Sequence, residues 1–263
     1  MLFRASHSRP SHSLTALAGA ALLALSAALP ARAETALVAV AANFAGVAGE
    51  LSEMYGAASG DEVTLTIGST GKLFAQIGEG APFDAMLSAD AATPRKLEEA
   101  GQGVEGSRFT YAIGRLALWS PEEGRIGEDG AAALTDAGLR HVAIANPELA
   151  PYGAAAREAL QGMGLWDTLQ PKIVMGQNIG QTHSMVASGA AETGFVALSA
   201  LLDPENPAGG SRWEVPQELY APIRQDAVLL EAGAQNTAAQ GFLAFLKSPE
   251  AQEVIRSYGY AVE

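Results

Sequence analysis

The 263-residue chain carries 29 Asp and Glu against 16 Lys and Arg, a formal net charge of −13 at pH 7. So acidic a protein repels nucleic acid and anionic lipid, and both partner classes are therefore disfavoured. The absence of cysteine excludes disulfides, iron–sulfur clusters, thiol catalysis and a cysteine-linked lipid anchor, while 48% hydrophobic residues suffice for one large domain or two lobes.

The N-terminus has the pattern of a secretory signal peptide. Two arginines lie among the first nine residues, an apolar run covers residues 14–29, and a small-x-small sequence ends at Ala33. The run is short and interrupted for a membrane anchor, so we predict cleavage after Ala33 and export of the remaining chain. Removing residues 1–33 takes away three Arg, which leaves 13 basic against 29 acidic residues and a net charge of −16.

Beyond Glu34, strand-like and helix-like segments alternate. The strand-like segments are, in chain order, "TALVAVAA", "EVTLTIG", "DAMLSAD", "RFTYAIGRLALWS", "HVAIANP", "PKIVMG" and "TGFVALS". The helix-like segments are "NFAGVAGELSEMYGAASG", "TGKLFAQIGEG", "TPRKLEEAG", "APYGAAAREALQGMG", "NIGQTHSMVASGA", "NTAAQGFLAFLK" and "SPEAQEVIRSYGY". This βαβ alternation predicts an α/β fold with mostly parallel sheets and helices on both faces. Two loop-like segments, "SPEEGRIGEDGAAALTDAG" and "DPENPAGGSRWEVPQE", suggest a central lobe inserted into an outer one.

Four loops share one pattern, in which a strand ends, small or hydroxyl-bearing residues follow, and a helix begins. They are Ala42-Asn43-Phe44, Ser69-Thr70-Gly71, Ala150-Pro151-Tyr152-Gly153 and Asn178-Ile179-Gly180. In open α/β sheets, ligands bind beyond the carboxyl ends of the strands, and helix N-termini attract anions. Any one such loop is usually an ordinary helix cap. Four of them, divided between two candidate lobes, favour a cleft that binds an anion.

The second loop, "GSTGK", has the look of a nucleotide-binding P-loop but departs from it at two positions. Gly68 and Gly71 are three residues apart instead of five, and Leu73 stands where a magnesium-binding hydroxyl is needed. None of the four loops has a carboxylate, and Lys72 reads as a solvated side chain. A neutral cleft rich in donors suits a fully ionised oxyanion, whereas hydrogen phosphate also needs an acceptor for its proton.

Metal binding and catalysis find little support in the sequence. Beyond residue 33 the histidines are His141 and His183, far apart, and a transition-metal site needs more soft or imidazole ligands than that. His183 reads as a partly exposed helix residue. No Gly-x-Ser-x-Gly motif or Ser/His/Asp set is present. An exported phosphate-ester hydrolase using Ser69 or Thr70 stays as an alternative, but no base accompanies those hydroxyls.

Several spaced motifs carry a family resemblance. They are "AANFAG", "GSTGKLFAQIGEGAPFDAMLSAD", "GSRFTYAIGRLALWS", "ANPELAPYGAAAREAL", "GQTHSMVASGAAETGFVAL" and "FLKSPEAQEVIRSYGY". Over residues 37–260 the chain resembles the periplasmic molybdate-binding proteins of ABC importers, which have the type II periplasmic binding protein fold. The resemblance implies two lobes, each a mixed, mostly parallel sheet flanked by helices, with the ligand in the inter-lobe cleft.

The same resemblance implies a function and a set of binding residues. The protein would be a monomer and not an enzyme, would need no cofactor or protein–metal ligand, and would deliver molybdate or tungstate to a membrane permease. The residues that match the family's contact positions are Ala42, Asn43, Ser69, Thr70, Tyr152 and Ile179. Tyr152 is expected to act through its phenol, because Ala197 occupies the position at which other members carry tyrosine. Ile179 is expected to act through its backbone N–H.

The resemblance also implies two chain crossings between the lobes, near "FTYAIG" and "LYAPIRQDA". We therefore expect residues 34–112 and 222–263 to form one lobe and residues 113–221 the other, closing on the ligand by a hinge motion. A receptor for sulfate or another oxyanion remains the alternative within this fold. The two ligands would be distinguished by cavity size.

Overall fold

The computed structural model describes residues 1–3, 33–204 and 206–263. Residues 1–3 are exposed, and the rest of the predicted signal peptide up to residue 32 lies outside the described residues. Residues Ala33–Glu263 form one compact unit. Within the described residues, no helix has the length and apolar character needed to cross a membrane.

Ten strands form two five-stranded sheets. The strands are β1 Thr35–Ala41, β2 Glu62–Gly68, β3 Ala85–Leu87, β4 Phe109–Gly114, β5 Leu116–Ser120, β6 Val142–Ala145, β7 Ile173–Gly176, β8 Thr193–Ala197, β9 Ser211–Glu214 and β10 Ile223–Leu229. The first sheet has the order β2-β1-β3-β10-β4 and the second β7-β6-β8-β5-β9. In each sheet the first three strands are parallel, and the other two make antiparallel pairings. The predicted two-lobed α/β fold with mixed sheets is confirmed.

Nine α-helices lie against these sheets in the described part of the chain. They are α1 Ala45–Ser59, α2 Thr70–Gly78, α3 Ala92–Glu99, α4 Gly130–Thr135, α5 Pro151–Gly162, α6 Trp166–Leu169, α7 Ile179–Ala187, α8 Thr237–Phe245 and α9 Pro249–Ser257. We call the first sheet with α1–α3, α8 and α9 the first lobe, and the second sheet with α4–α7 the second lobe. Both faces of each sheet carry apolar residues packed into a core, as expected for strands covered by helices on both sides.

Three segments differ from their sequence-based description. "RFTYAIGRLALWS" is two strands, because the chain leaves the first sheet after Gly114 and enters the second at Leu116. The first predicted loop contains α4, whose first turn is capped by the Asp129 side chain. The second contains the edge strand β9, which is too polar for its periodicity to be recognised.

The register of the strand pairs determines where the four helix-starting loops lie. Ala41 at the end of β1 pairs with Gly68 at the end of β2, and Ala145 at the end of β6 pairs with Gly176 at the end of β7. In each lobe, two neighbouring parallel strands therefore end at the same level. The loops that leave them begin α1, α2, α5 and α7 on the carboxyl edge of each sheet, where α/β proteins bind ligands.

Candidate functional site

A small cavity lies between the two lobes at these carboxyl edges. Its wall contains all six residues predicted to bind the ligand, Ala42, Asn43, Ser69, Thr70, Tyr152 and Ile179. The cavity volume is about 10 Å³. That is about the space one ordered water requires. A four-oxygen anion is larger than one water, so the wall must move outward to admit it.

The loop between β1 and α1 forms a 3₁₀ turn over Ala42–Phe44. Both the side-chain amide and the backbone carbonyl of Asn43 are hydrogen-bonded inside the protein. Its Nδ2 donates to Oε1 of Gln225 at 2.7 Å and to the hydroxyl of Tyr260 at 3.0 Å. Its carbonyl accepts from Tyr260 at 2.8 Å and from Ser199 at 3.1 Å. With the side-chain amide engaged inside the protein, the backbone N–H groups that open the turn are the donors this loop can offer a ligand.

The loop between β2 and α2 presents two buried hydroxyls. Ser69 is the N-cap of α2, and its Oγ accepts from the backbone N–H of Lys72 at 3.4 Å. Thr70 Oγ1 accepts from the backbone N–H of Ala89 at 3.1 Å. A hydroxyl has one hydrogen to donate, and both hydroxyls are already oriented by the N–H groups they accept from. Their hydrogens can therefore be donated to an anion.

In the second lobe, α5 begins with proline. Pro151 occupies the first helical position and has no N–H, so the backbone N–H of Tyr152 is the first donor of this helix. The Tyr152 hydroxyl accepts from Nε2 of Gln225 at 3.2 Å and is also hydrogen-bonded to the hydroxyl of Tyr260. Burial raises the pKa of the Tyr152 phenol well above its ordinary value, so it stays protonated. The phenol has one hydrogen to donate, so Tyr260 and an anion in the cavity would compete for it.

Helix α7 provides the fourth set of donors. The Asn178 side chain caps this helix by accepting from the backbone N–H of Gln181 at 2.8 Å. The N–H groups of Ile179 and Gly180 lie ahead of the capped one and need a partner outside the helix. Ile179 is buried and lines the cavity, as expected for a residue that contributes its backbone.

The cavity wall is neutral. Of the residues that the structure describes, none with a charged side chain lines it. Four helix N-termini, two from each lobe, supply N–H groups and the positive end of their dipoles instead. Lys72 is exposed and does not reach the wall. This wall therefore stabilises negative charge with hydrogen-bond donors and helix dipoles, without a charged side chain.

His183 lies outside this site. It is half-buried, and its ring stacks on Trp119 with the centroids 4.7 Å apart. Burial lowers the pKa of its imidazole, so His183 is neutral at pH 7. Among the described residues there is also no group of three or more His, Cys, Asp or Glu placed to hold a metal ion.

The sequence did not point to the residues that support the site from behind. Gln225, Tyr260, Tyr111 and Ser199 form one buried hydrogen-bond network with Asn43 and Tyr152. They come from segments far apart in the chain, and no local motif marks them. Two of the polar residues of β10, Gln225 and Asp226, are consecutive and both buried, which the structure alone reveals.

The two lobes also touch directly beside the cavity. The backbone N–H of Gly71 donates to the carbonyl of Leu149 in the loop before α5 at 2.9 Å. A Cβ at residue 71 would lie 3.2 Å from both Cα and the carbonyl oxygen of Leu149, closer than most Cβ atoms approach a neighbour. The glycine of the second loop therefore permits the lobes to meet at this distance.

Comparison with known proteins gives consistent matches along the chain. A family model described as bacterial extracellular solute-binding protein matches residues 36–261. The chain is 50% identical over 251 residues to the molybdate-binding protein ModA of Rhodobacter capsulatus, covering 95% of this chain and 98% of that protein. It is 46% identical over 245 residues to ModA of Azotobacter vinelandii, covering 93% and 95%.

A solved structure matches as well. The Azotobacter vinelandii periplasmic molybdate-binding protein superposes with a TM-score of 0.84 at 40% identity, covering 87% of this chain and 99% of that chain. The family match includes all four helix-starting loops and every residue of the cavity wall.

Proposed function

The chain belongs to the bacterial extracellular solute-binding proteins, and we propose that it captures molybdate between its lobes and delivers it to an ABC importer. The resemblance recognised in the sequence is thereby confirmed. The protein binds and does not catalyse, and molybdate is its ligand and not a cofactor. We further propose that it binds tungstate, acts as a monomer in the periplasm, and begins at Glu34 after removal of residues 1–33.

The single observation that carries this proposal is the neutral cavity wall built from donors of both lobes. A dianion loses its hydration on entering a protein, and that loss is tolerable only when hydrogen bonds replace it. The proposed donors are the backbone N–H groups of Asn43, Tyr152 and Ile179 and the hydroxyls of Ser69 and Thr70, with Ala42 shaping the wall. Because donors come from both lobes, the anion stabilises the closed arrangement that surrounds it.

The phenol of Tyr152 has a different proposed role from its backbone. Its hydroxyl is engaged by Gln225 and Tyr260, so a hydrogen bond to the anion would have to displace an existing one. We therefore assign the contact with the anion to the Tyr152 N–H. Direct donation by the phenol remains the competing hypothesis for this residue.

The lobe boundaries are part of the proposal. Residues 34–112 with 222–263 form the first lobe and residues 113–221 the second, with hinge closure between them. Sheet membership supports this division to within a few residues, since β4 ends at Gly114 and β5 begins at Leu116. The return crossing lies between Glu214 at the end of β9 and Ile223 at the start of β10.

Two other functions would use parts of the same site. A sulfate receptor would use the same donors, and the size of the cavity would separate the smaller anion from the larger. A phosphate-ester hydrolase would need a base beside Ser69 or Thr70, and the groups that contact those hydroxyls are backbone N–H donors. That chemistry is not favoured.

A panel of molybdate, tungstate, sulfate and phosphate tests the proposal on the protein starting at Glu34. At a ligand concentration one hundred times the Kd, binding stabilises the folded state by about 2.7 kcal/mol. For a domain of this size the melting temperature then rises by roughly 5–10 °C. We expect this rise with molybdate and tungstate and a much smaller one with sulfate and phosphate. An equal shift with sulfate would contradict the ligand assignment.

A further inference from the structure

Gln225 occupies an unusual position in β10. Gln225 pairs with Ala112 of β4 and Asp226 with Thr110, so the extra residue of this β-bulge is Tyr111 in β4, and β10 is regular here. Successive side chains of a regular strand point to opposite faces, so Gln225 and Asp226 lie on opposite faces of the sheet. Here both residues are buried, with Asp226 directed at Arg108 and Thr110. Gln225 is directed at the boundary between the lobes.

The amide of Gln225 joins residues of both lobes. Its Oε1 accepts from Nδ2 of Asn43 at 2.7 Å and from the hydroxyl of Tyr111 at 3.1 Å, both in the first lobe. Its Nε2 donates to the hydroxyl of Tyr152, in α5 of the second lobe, at 3.2 Å. Asn43 and Tyr152 line the cavity, and Gln225 does not. Gln225 therefore contacts one wall residue from each lobe without reaching the ligand position.

The space for this contact is provided by Gly114, the last residue of β4. A Cβ at residue 114 would overlap the hydroxyl of Tyr152 and lie 2.6 Å from Nε2 of Gln225. Because any side chain there would occupy the place where the two groups meet, the hydrogen bond requires glycine at the point where the chain crosses between lobes.

A second contact across the lobe boundary is made to Asn43, which also contacts Gln225. Ser199, in the second lobe, donates to the carbonyl of Asn43 at 3.1 Å and lies 2.9 Å from the hydroxyl of Tyr260. These polar atoms are buried while the lobes touch, and they would be hydrated if the lobes separated. The contacts of Gln225 with Tyr152 and of Ser199 with Asn43 and Tyr260 therefore belong to the closed arrangement specifically.

We propose that Gln225 is a positioning residue whose hydrogen bond to Tyr152 favours the closed arrangement of the lobes and thereby sets the affinity for the anion. This inference rests on the proposed function. A ligand that binds the closed form has an apparent Kd equal to its intrinsic Kd divided by the closed fraction. Loss of one such hydrogen bond lowers the closed-to-open equilibrium constant by about 3–10-fold, and the closed fraction falls by the same factor when the open form predominates without ligand.

The test compares Gln225→Leu with Asp226→Asn in the chain that starts at Glu34. Isothermal titration with molybdate should give an affinity about 3–10-fold weaker for Gln225→Leu and unchanged for Asp226→Asn. The control lies on the same strand and is equally buried, but its partners Arg108 and Thr110 are in its own lobe. Equal losses in both variants, or no loss in Gln225→Leu, would overturn the proposal.

A second variant covers the case in which Gln225→Leu does not fold. Gly114→Ala leaves Gln225 intact and displaces Tyr152 from it, so it should weaken molybdate binding in the same range. In addition, Tyr152→Phe combined with either variant should cost no more affinity than one change alone, because the hydrogen bond between Gln225 and Tyr152 is already absent in each single variant. Additive losses would show that the phenol binds the anion directly and would refute the assignment to Gln225.

Lobe closure can also be followed without any anion. Since the chain contains no cysteine, spin labels can be attached at Ala75→Cys and Gln161→Cys, exposed positions in α2 and α5. Gln225→Leu should shift the distance distribution between the labels toward larger values. An unchanged distribution would reject the role of Gln225. If the parent protein bound no molybdate, the proposed function would fail while this measurement still decided the role of Gln225.

Discussion

Thr70 gives the most direct test of the donor arrangement, through the change Thr70→Val. The side chain is 2% exposed, and its Oγ1 accepts from the backbone N–H of Ala89. Valine has nearly the same shape but neither accepts nor donates. The change therefore removes two interactions at once, one inside the protein and one to the proposed anion.

The two losses have different magnitudes and different readouts. A hydrogen bond to a charged group contributes about 1.5–3 kcal/mol, so molybdate affinity should fall by roughly 10–150-fold. The unpaired N–H of Ala89 should destabilise the ligand-free protein by about 1–3 kcal/mol, or roughly 2–4 °C in Tm for each kcal/mol. Titration calorimetry measures the first loss, and thermal unfolding without ligand measures the second.

Two control variants separate these effects. Thr70→Ser keeps the hydroxyl and should bind molybdate within about 3-fold of the parent, since both hydrogen bonds remain. Thr64→Val makes the same chemical change at an exposed position of β2 and should leave the affinity unchanged. If Thr70→Val loses stability but binds molybdate as well as the parent, its hydroxyl is structural and the donor assignment is refuted.

Three further outcomes are expected. Lys72→Ala should change molybdate affinity by less than about 3-fold in calorimetry, because the exposed ammonium is screened by water and does not reach the cavity wall. Stopped-flow association with molybdate should become faster as moderate salt is added, since screening reduces repulsion from a surface of net charge −16; slower association would instead reveal a local basic entrance. Burial alone would raise the pKa of Glu192, but hydrogen bonds from the His141 N–H and from Arg140 outweigh it and hold the pKa at about 2. A carboxyl with a lowered pKa stabilises the folded state at pH values above its unfolded pKa, so this contribution should be lost as pH falls from about 5 toward 2. The free energy of unfolding, measured with urea, should therefore decline less over that pH range in Glu192→Gln than in the parent.

The parts of the site that the sequence predicted are those with a local signal. Ser69 and Asn178 cap the helices that they precede, and Pro151 stands at the first position of α5. Helix caps and prolines at the first helical position can be predicted from sequence because their effect is confined to a few neighbouring residues. Since such loops leave parallel strands at one edge of a sheet, their convergence follows from the βαβ pattern.

The buried hydrogen-bond network behind the site could not be predicted from local sequence signals. Asn43 is separated by 182 residues from Gln225 and by 217 from Tyr260. Strand β10 was not identified from the sequence, because two polar residues at its centre break the apolar pattern that marks a buried strand. Both polar side chains are buried only because partners from distant segments satisfy them, and that information is not local.

Affinity and selectivity should therefore depend on different residues. The donors that touch the anion decide which anion fits, whereas Gln225 acts through the closed fraction of the protein. A change in that fraction multiplies the apparent Kd of every anion by the same factor, because each one binds the same closed form. Gln225→Leu should accordingly weaken molybdate and tungstate equally and leave the ratio of their Kd values as in the parent. Calorimetry with both anions on the two proteins measures this ratio, and a shift beyond about 2-fold would mean that Gln225 shapes the cavity itself instead of the balance between open and closed forms.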